Sequence, residues 1–93
     1  IRIMANGWTL ELSEQAEKDL SKLDSGIRKR IVEKLVWLSK NFDSTLLLGL
    51  QAEFKDFYKF RVGDWRVIYK VNWSRKMIAV HYINKRDKIY KIK

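Results

Sequence analysis

Tyr58-Lys59-Phe60-Arg61-Val62-Gly63-Asp64-Trp65-Arg66-Val67-Ile68-Tyr69 holds two strands and the turn between them. Gly63-Asp64 separates two runs rich in aromatic and β-branched residues, the pattern of a β-hairpin with a two-residue loop. Gly at the first turn position suits a type II′ turn, which needs a positive φ there. So short a loop fixes the register. Val62 faces Trp65, Arg61 faces Arg66, and Lys59 faces Ile68. Side chains alternate along a strand. Tyr58, Phe60, Val62, Trp65, Val67 and Tyr69 therefore share the face that packs inward, while Lys59, Arg61, Arg66 and Lys70 share the other. Two directly opposed arginines repel and cost stability. The basic face is either an ordinary solvated surface or a seat for an anion.

Upstream of the hairpin, Trp8-Thr9-Leu10-Glu11-Leu12 alternates as a strand. Ser13 follows as an N-cap, with Glu14 and Glu17 near the positive end of a short helix. Ala16, Leu20 and Leu23 form its buried stripe. Asp24-Ser25-Gly26 is a break and a second cap. Ile27, Ile31, Leu35 and Leu38 carry a second helix to about Lys40, with Arg28, Lys29, Arg30 and Lys34 off its apolar stripe. Residues 41–53 lack a period and read as loop with one helical turn. Downstream, Asn72 to Arg75 is a turn, Lys76 to Asn84 a long strand, and Lys85 to Lys93 a basic tail. Residues 1–7 read as an extension or a flexible lead. The expected fold is α+β: one N-terminal strand, an αα-hairpin, then an antiparallel β-meander, with both helices on one face of the sheet. Residues 1–93 form one domain.

Twenty Lys and Arg against eleven Asp and Glu give a net charge of +9, an excess that attracts nucleic acid or an acidic protein. Cysteine is absent, which excludes a thiolate nucleophile and fits a reducing compartment, so the expected location is cytoplasmic. The longest apolar run, at Leu46-Leu47-Leu48, is too short to cross a bilayer, and no signal peptide is expected. Paired carboxylates, a Ser-His-Asp order and a Gly-rich phosphate loop are not evident. Scattered acids and a single histidine offer no metal-ligand spacing, so neither metal nor cofactor is expected. His81 lies within an apolar strand pattern and reads as a packed or edge histidine before a catalyst. Clustered Lys and Arg suit the extra negative charge of a phosphorane-like transition state. RNA supplies its own nucleophile, the 2′-hydroxyl.

The stretch from Tyr58 to Tyr69 resembles the central hairpin of RelE/ParE-superfamily toxins, and Asn84-Lys85-Arg86-Asp87-Lys88-Ile89-Tyr90 resembles their C-terminal Arg-x-x-x-Tyr signature. Element order and length match too, so the resemblance runs from Trp8 to Tyr90. It implies the toxin of a type II toxin–antitoxin system, wrapped by a cognate antitoxin, the pair binding its own promoter DNA. The RelE branch cuts messenger RNA in the ribosomal A site without a metal, leaving a 2′,3′-cyclic phosphate or 3′-phosphate and a 5′-hydroxyl. The ParE branch poisons DNA gyrase and lacks that active site.

Residue by residue, the resemblance gives Lys59 the role of holding the scissile phosphate region. Arg61 stands where well-known members have a lysine that acts as general base. Arg66 stabilises transition-state charge, Arg86 is the general acid, and Tyr90 stacks on or orients the substrate nucleotide. Tyr90 is also open to a plainer role as an anchor of the tail. Arg66 and Arg86 are expected to be exposed and without a packing role. Lys70, Lys85 and Lys88 are expected to add RNA contacts. Arg61 departs from the pattern because a guanidinium holds its proton tightly. Three alternatives follow: Lys59 takes over as base with Arg61 as a phosphate clamp, the base comes from the ribosome, or activity is low. Gln51-Ala52-Glu53 falls where some members have an arginine, and Lys85 where many have histidine. The leading expectation is a RelE-type endoribonuclease; its rivals are a ParE-like gyrase inhibitor and a noncatalytic RNA-binding module.

Overall fold

The structure, a computed structural model, describes residues 1–45, 48–49 and 56–85. Strands β1 (Arg2–Ala5) and β2 (Trp8–Leu12) precede helices α1 (Glu14–Ser21) and α2 (Ser25–Lys40). A 3-10 turn at Phe42–Ser44 and the two-residue strand β3 (Leu48–Gly49) follow. The chain then runs through β4 (Tyr58–Val62), β5 (Trp65–Asn72) and β6 (Met77–Lys85). They form one six-stranded sheet in the order β1-β2-β6-β5-β4-β3.

The central hairpin has the register that its loop length dictates, with Val62 opposite Trp65, Arg61 opposite Arg66 and Lys59 opposite Ile68. Gly63 takes φ 59°, the left-handed value that the first position of a type II′ turn needs. Ser13 caps α1, its hydroxyl accepting from the Ala16 amide at 3.0 Å. Both helices pack their apolar stripes on one face of the sheet. Ala16, Leu20, Ile31, Leu35 and Leu38 meet Leu10, Val62, Val67, Tyr69, Ile78, Val80 and Ile83 in a single core. Trp8, Phe42 and Trp73 close one end of it, with Trp8 Nε1 donating to Asp43 at 2.9 Å.

Three features differ from the expectation. Residues 2–5 are an edge strand paired antiparallel with β2. Asn6 and Gly7, at φ 52° and 84°, make the positive-φ pair of a type I′ turn. The Asn-Gly dipeptide is a hairpin signal, and it folds the preceding segment back onto β2. Second, the sheet contains one parallel pair, β2 with β6. The helical pair carries the chain past the sheet, and the meander returns until β6 meets β2 running the same way. Third, the segment read as loop contributes the two-residue strand β3, which pairs with β4.

Candidate functional site

A break in β6 shapes the face of the sheet opposite the helices. Ile68 pairs with Tyr82 but Tyr69 pairs with Val80, so His81 is an extra residue in β6. Val80 and Ile83 are both buried in the helix-side core, three positions apart where strict alternation would put them on opposite faces. The bulge absorbs the mismatch and turns two neighbouring side chains, His81 and Tyr82, off the core side together. Helix α1 fastens this irregular backbone. Ser13 N donates to the Val80 carbonyl at 2.8 Å, and Ser13 Oγ to that of His81 at 3.1 Å. The buried Asp19 carboxylate accepts from the Ile83 amide at 3.0 Å and from Gln15 Nε2 at 2.9 Å.

Across the face opposite the helices, register sets out three rows about 7 Å apart, two residues along each strand. Arg61, Arg66 and Asn84 form the row beside the hairpin turn. Lys59, Ile68 and Tyr82 form the next. Lys70 lies in the third, with its Nζ 4.6 Å from the centre of the Phe57 ring, and there His81 meets the same ring edge-on at 5.1 Å. Lys59, Arg61, Arg66 and Lys70 thus do share one face. That gathering concentrates positive charge on one face of the sheet, which favours contact with an anion.

The opposed arginines resolve their repulsion locally. Arg61 Nε donates to the Gly63 carbonyl at 3.3 Å, and an Arg66 terminal nitrogen reaches the same oxygen at 3.5 Å and the Trp65 carbonyl at 3.3 Å. The turn's own dipoles therefore hold both guanidiniums. Arg66 is only 5 % exposed, which corrects the expectation of an exposed cation without a packing role. Ile68, beside it on the same strand, is 2 % exposed, so the middle of this face is not open solvent surface.

Lys85 is elsewhere. It pairs with Trp65, and its Nζ lies 5.8 Å from the centre of that ring, on the helix side of the sheet. There it helps line a cleft of about 460 Å³ with Asp19, Lys22 and Trp65. Arg86, Lys88 and Tyr90 lie outside the described residues, as do Gln51, Ala52 and Glu53.

Sequence reasoning left Phe57, Tyr82 and Asn84 out of the site and favoured a packing role for His81. The signal was present, because the apolar phase of β6 shifts between Val80 and Ile83. His81 is half-buried, and burial, then the nearby Lys70 cation, hold its imidazole below the usual value of 6.5, so it is neutral at pH 7. Tyr69 is pushed up to about 12, chiefly by burial and then by Tyr58. It stays a protonated core phenol. Among the described residues, no group of three or more His, Cys, Asp or Glu side chains could hold a metal ion, and no helix is long and apolar enough to cross a membrane.

Residues 10–90 match the family described as the ParE toxin of the type II toxin–antitoxin system parDE. The chain is 29% identical over 90 residues to a protein of Methanocaldococcus jannaschii named as toxin RelE1, covering 90% of this chain and 96% of that one. Its fold is similar to that of the archaeal RelE–RelB complex from Pyrococcus horikoshii, with a TM-score of 0.69, 26% identity, and coverage of 86% and 96% of the two chains. It is also similar to the RelBE2 toxin–antitoxin complex of Mycobacterium tuberculosis, at a TM-score of 0.77 and 22% identity, covering 86% and 92%. The last likeness is one of fold alone.

Proposed function

Because the chain belongs to the RelE/ParE superfamily of type II toxins, we propose that it is an endoribonuclease that cuts messenger RNA on the ribosome without a metal ion. The observation that carries this reading is the gathering of Lys59, Arg61, Arg66 and Lys70 on one sheet face, with two guanidiniums bonded to the Gly63 carbonyl of the turn. In the reaction, the 2′-oxygen attacks the neighbouring phosphorus while the bond from phosphorus to the 5′-oxygen breaks. A base takes the 2′-hydroxyl proton and an acid protonates the leaving oxygen, giving a 2′,3′-cyclic phosphate and a 5′-hydroxyl. Arg66 and Arg61 hold the charge that builds on the phosphate oxygens, in positions fixed before substrate arrives. Lys59 is the better base, because a lysine side chain can exist as a neutral amine whereas a guanidinium stays charged. Arg86 as acid and Tyr90 as the nucleotide-orienting ring complete the proposed set, with Lys88 as a further RNA contact.

The partner proposed for the free toxin is a cognate antitoxin, as in the similar toxin–antitoxin complexes. The pair would bind its own promoter DNA. A second reading has one observation in its favour, the match to the ParE family. Under it the chain inhibits gyrase and cuts nothing. Primer extension on messenger RNA from a translation reaction, run beside a gyrase supercoiling assay, separates the two. The nuclease reading expects discrete new 5′ ends and unaffected supercoiling. Intact message with blocked supercoiling overturns it.

A further inference from the structure

We propose that Tyr82 and His81, turned onto the basic face together by the β6 bulge, form a stacking platform for one unpaired base of the RNA, flanked by Lys70 on its phosphate. This rests on the reading of the chain as an RNA-cutting toxin. A regular strand would send one of these neighbouring side chains into the core. Instead the bulge places both on the face that carries Lys59, Arg61, Arg66 and Lys70. Tyr82 is 36 % exposed, a large amount for an aromatic ring in the interior of a sheet. Its ring centre is 6.5 Å from that of His81, with 44° between the planes. Phe57 braces His81 edge-on, and Lys70 sits over Phe57. The imidazole is thereby held in place and neutral beside the exposed phenol ring.

Aromatic rings alternating with cations are the chemistry that grips single strands, because every base has a π-face and every nucleotide a phosphate. Tyr82 supplies the stacking face. His81 supplies a ring N–H or a lone pair at the edge of the base. The Tyr82 row lies one step, about 7 Å, from the row of Arg66 and Arg61. A nucleotide stacked on Tyr82 would therefore neighbour the phosphate that those arginines hold. A base already paired in a duplex has no exposed face to offer, so the platform selects unpaired RNA. Three α1 contacts to the β6 backbone, from Ser13 and Asp19, preorganise the bulge.

The test is fluorescence anisotropy with a short, labelled, fully 2′-O-methylated RNA, which offers no nucleophile, against wild type, Tyr82→Ala, Tyr82→Phe and Lys70→Ala. Tyr82→Ala should weaken binding about tenfold or more without changing its salt dependence, while Tyr82→Phe stays within about twofold of wild type. Lys70→Ala should weaken binding and make the salt slope shallower by about 0.7, the contribution of one phosphate on a single strand. An oligomer with abasic sites should bind wild type and Tyr82→Ala alike. Equal affinity of wild type and Tyr82→Ala for the base-bearing oligomer, with wild type still cutting message, overturns the platform and leaves the nuclease reading intact. Base-dependent binding through Tyr82 without any cleavage upholds the platform and overturns the nuclease. Wild type that neither binds nor cuts overturns both.

Discussion

Arg66 carries two duties that pull a mutational test in different directions. Its guanidinium holds the Gly63 and Trp65 carbonyls at the turn, and it is buried while doing so. Arg66→Ala should therefore lower stability by about 0.5–1.5 kcal/mol, the net worth of a hydrogen bond, besides slowing cleavage. Arg66→Lys keeps the charge and most of the volume. It should melt close to wild type and still cut roughly 10²–10³-fold more slowly, because one forked donor set is gone. Thermal melts and single-turnover rates on both variants check this, and full activity in Arg66→Lys would remove position 66 from the site. The neighbouring Arg61 bonds the turn through Nε. A guanidinium can do that and grip a phosphate through its terminal nitrogens at once, whereas an ammonium has no such fork. Arg61→Lys should accordingly be about tenfold or more slower than wild type, and Lys59→Ala should be the most damaging single change. Equal or faster cleavage by Arg61→Lys would instead show that a lysine at position 61 can serve as the base. The opposition of the two arginines was legible in the sequence, because a two-residue loop leaves one register. Their shared acceptor was not. It depends on side-chain rotamers reaching back into the turn, which no periodicity encodes.

Helix α1 does more than cover the sheet. Through Ser13 and Asp19 it bonds backbone groups of Val80, His81 and Ile83, where the pairing of β2 with β6 ends at Leu12 and Val80. Asp19→Ala would leave the Ile83 amide buried and unpaired, at a cost of about 1–3 kcal/mol. The same substitution should release the bulge, so hydrogen exchange at residues 81–83 should quicken by more than at the other β6 amides. A uniform change across β6 would mean that Asp19 contributes to global stability only. The bulge was readable from the apolar phase, since Ile78 and Val80 keep one parity and Ile83 takes the other. Strand β1 was equally readable from Asn6-Gly7. The Asn-Gly pair is a local signal, but its meaning depended on whether the few residues before it could pair, and their alternation is short. The helices and their cap followed from spacing and from Ser13 alone, because both depend on local geometry.

At the scale of the whole molecule, the sheet separates two kinds of work. One face meets the helices and holds the core, and the other gathers cations and aromatic rings. The chain's parallel contact between β2 and β6 could not be read from any segment, because neighbours in a sheet are set by the path of the whole chain. The segregation of charge could, because alternation on two paired strands is enough to sort it. The 2′-hydroxyl tests what that charge is for. Purified toxin is added to ribosomes programmed with two messages that are identical except for a single 2′-deoxy substitution at the mapped cleavage position, and primer extension reads the 5′ ends. The all-ribose message should be cut at that position and the substituted one left intact. Equal cleavage of both messages would contradict this, since the proposed nucleophile would be missing from one of them.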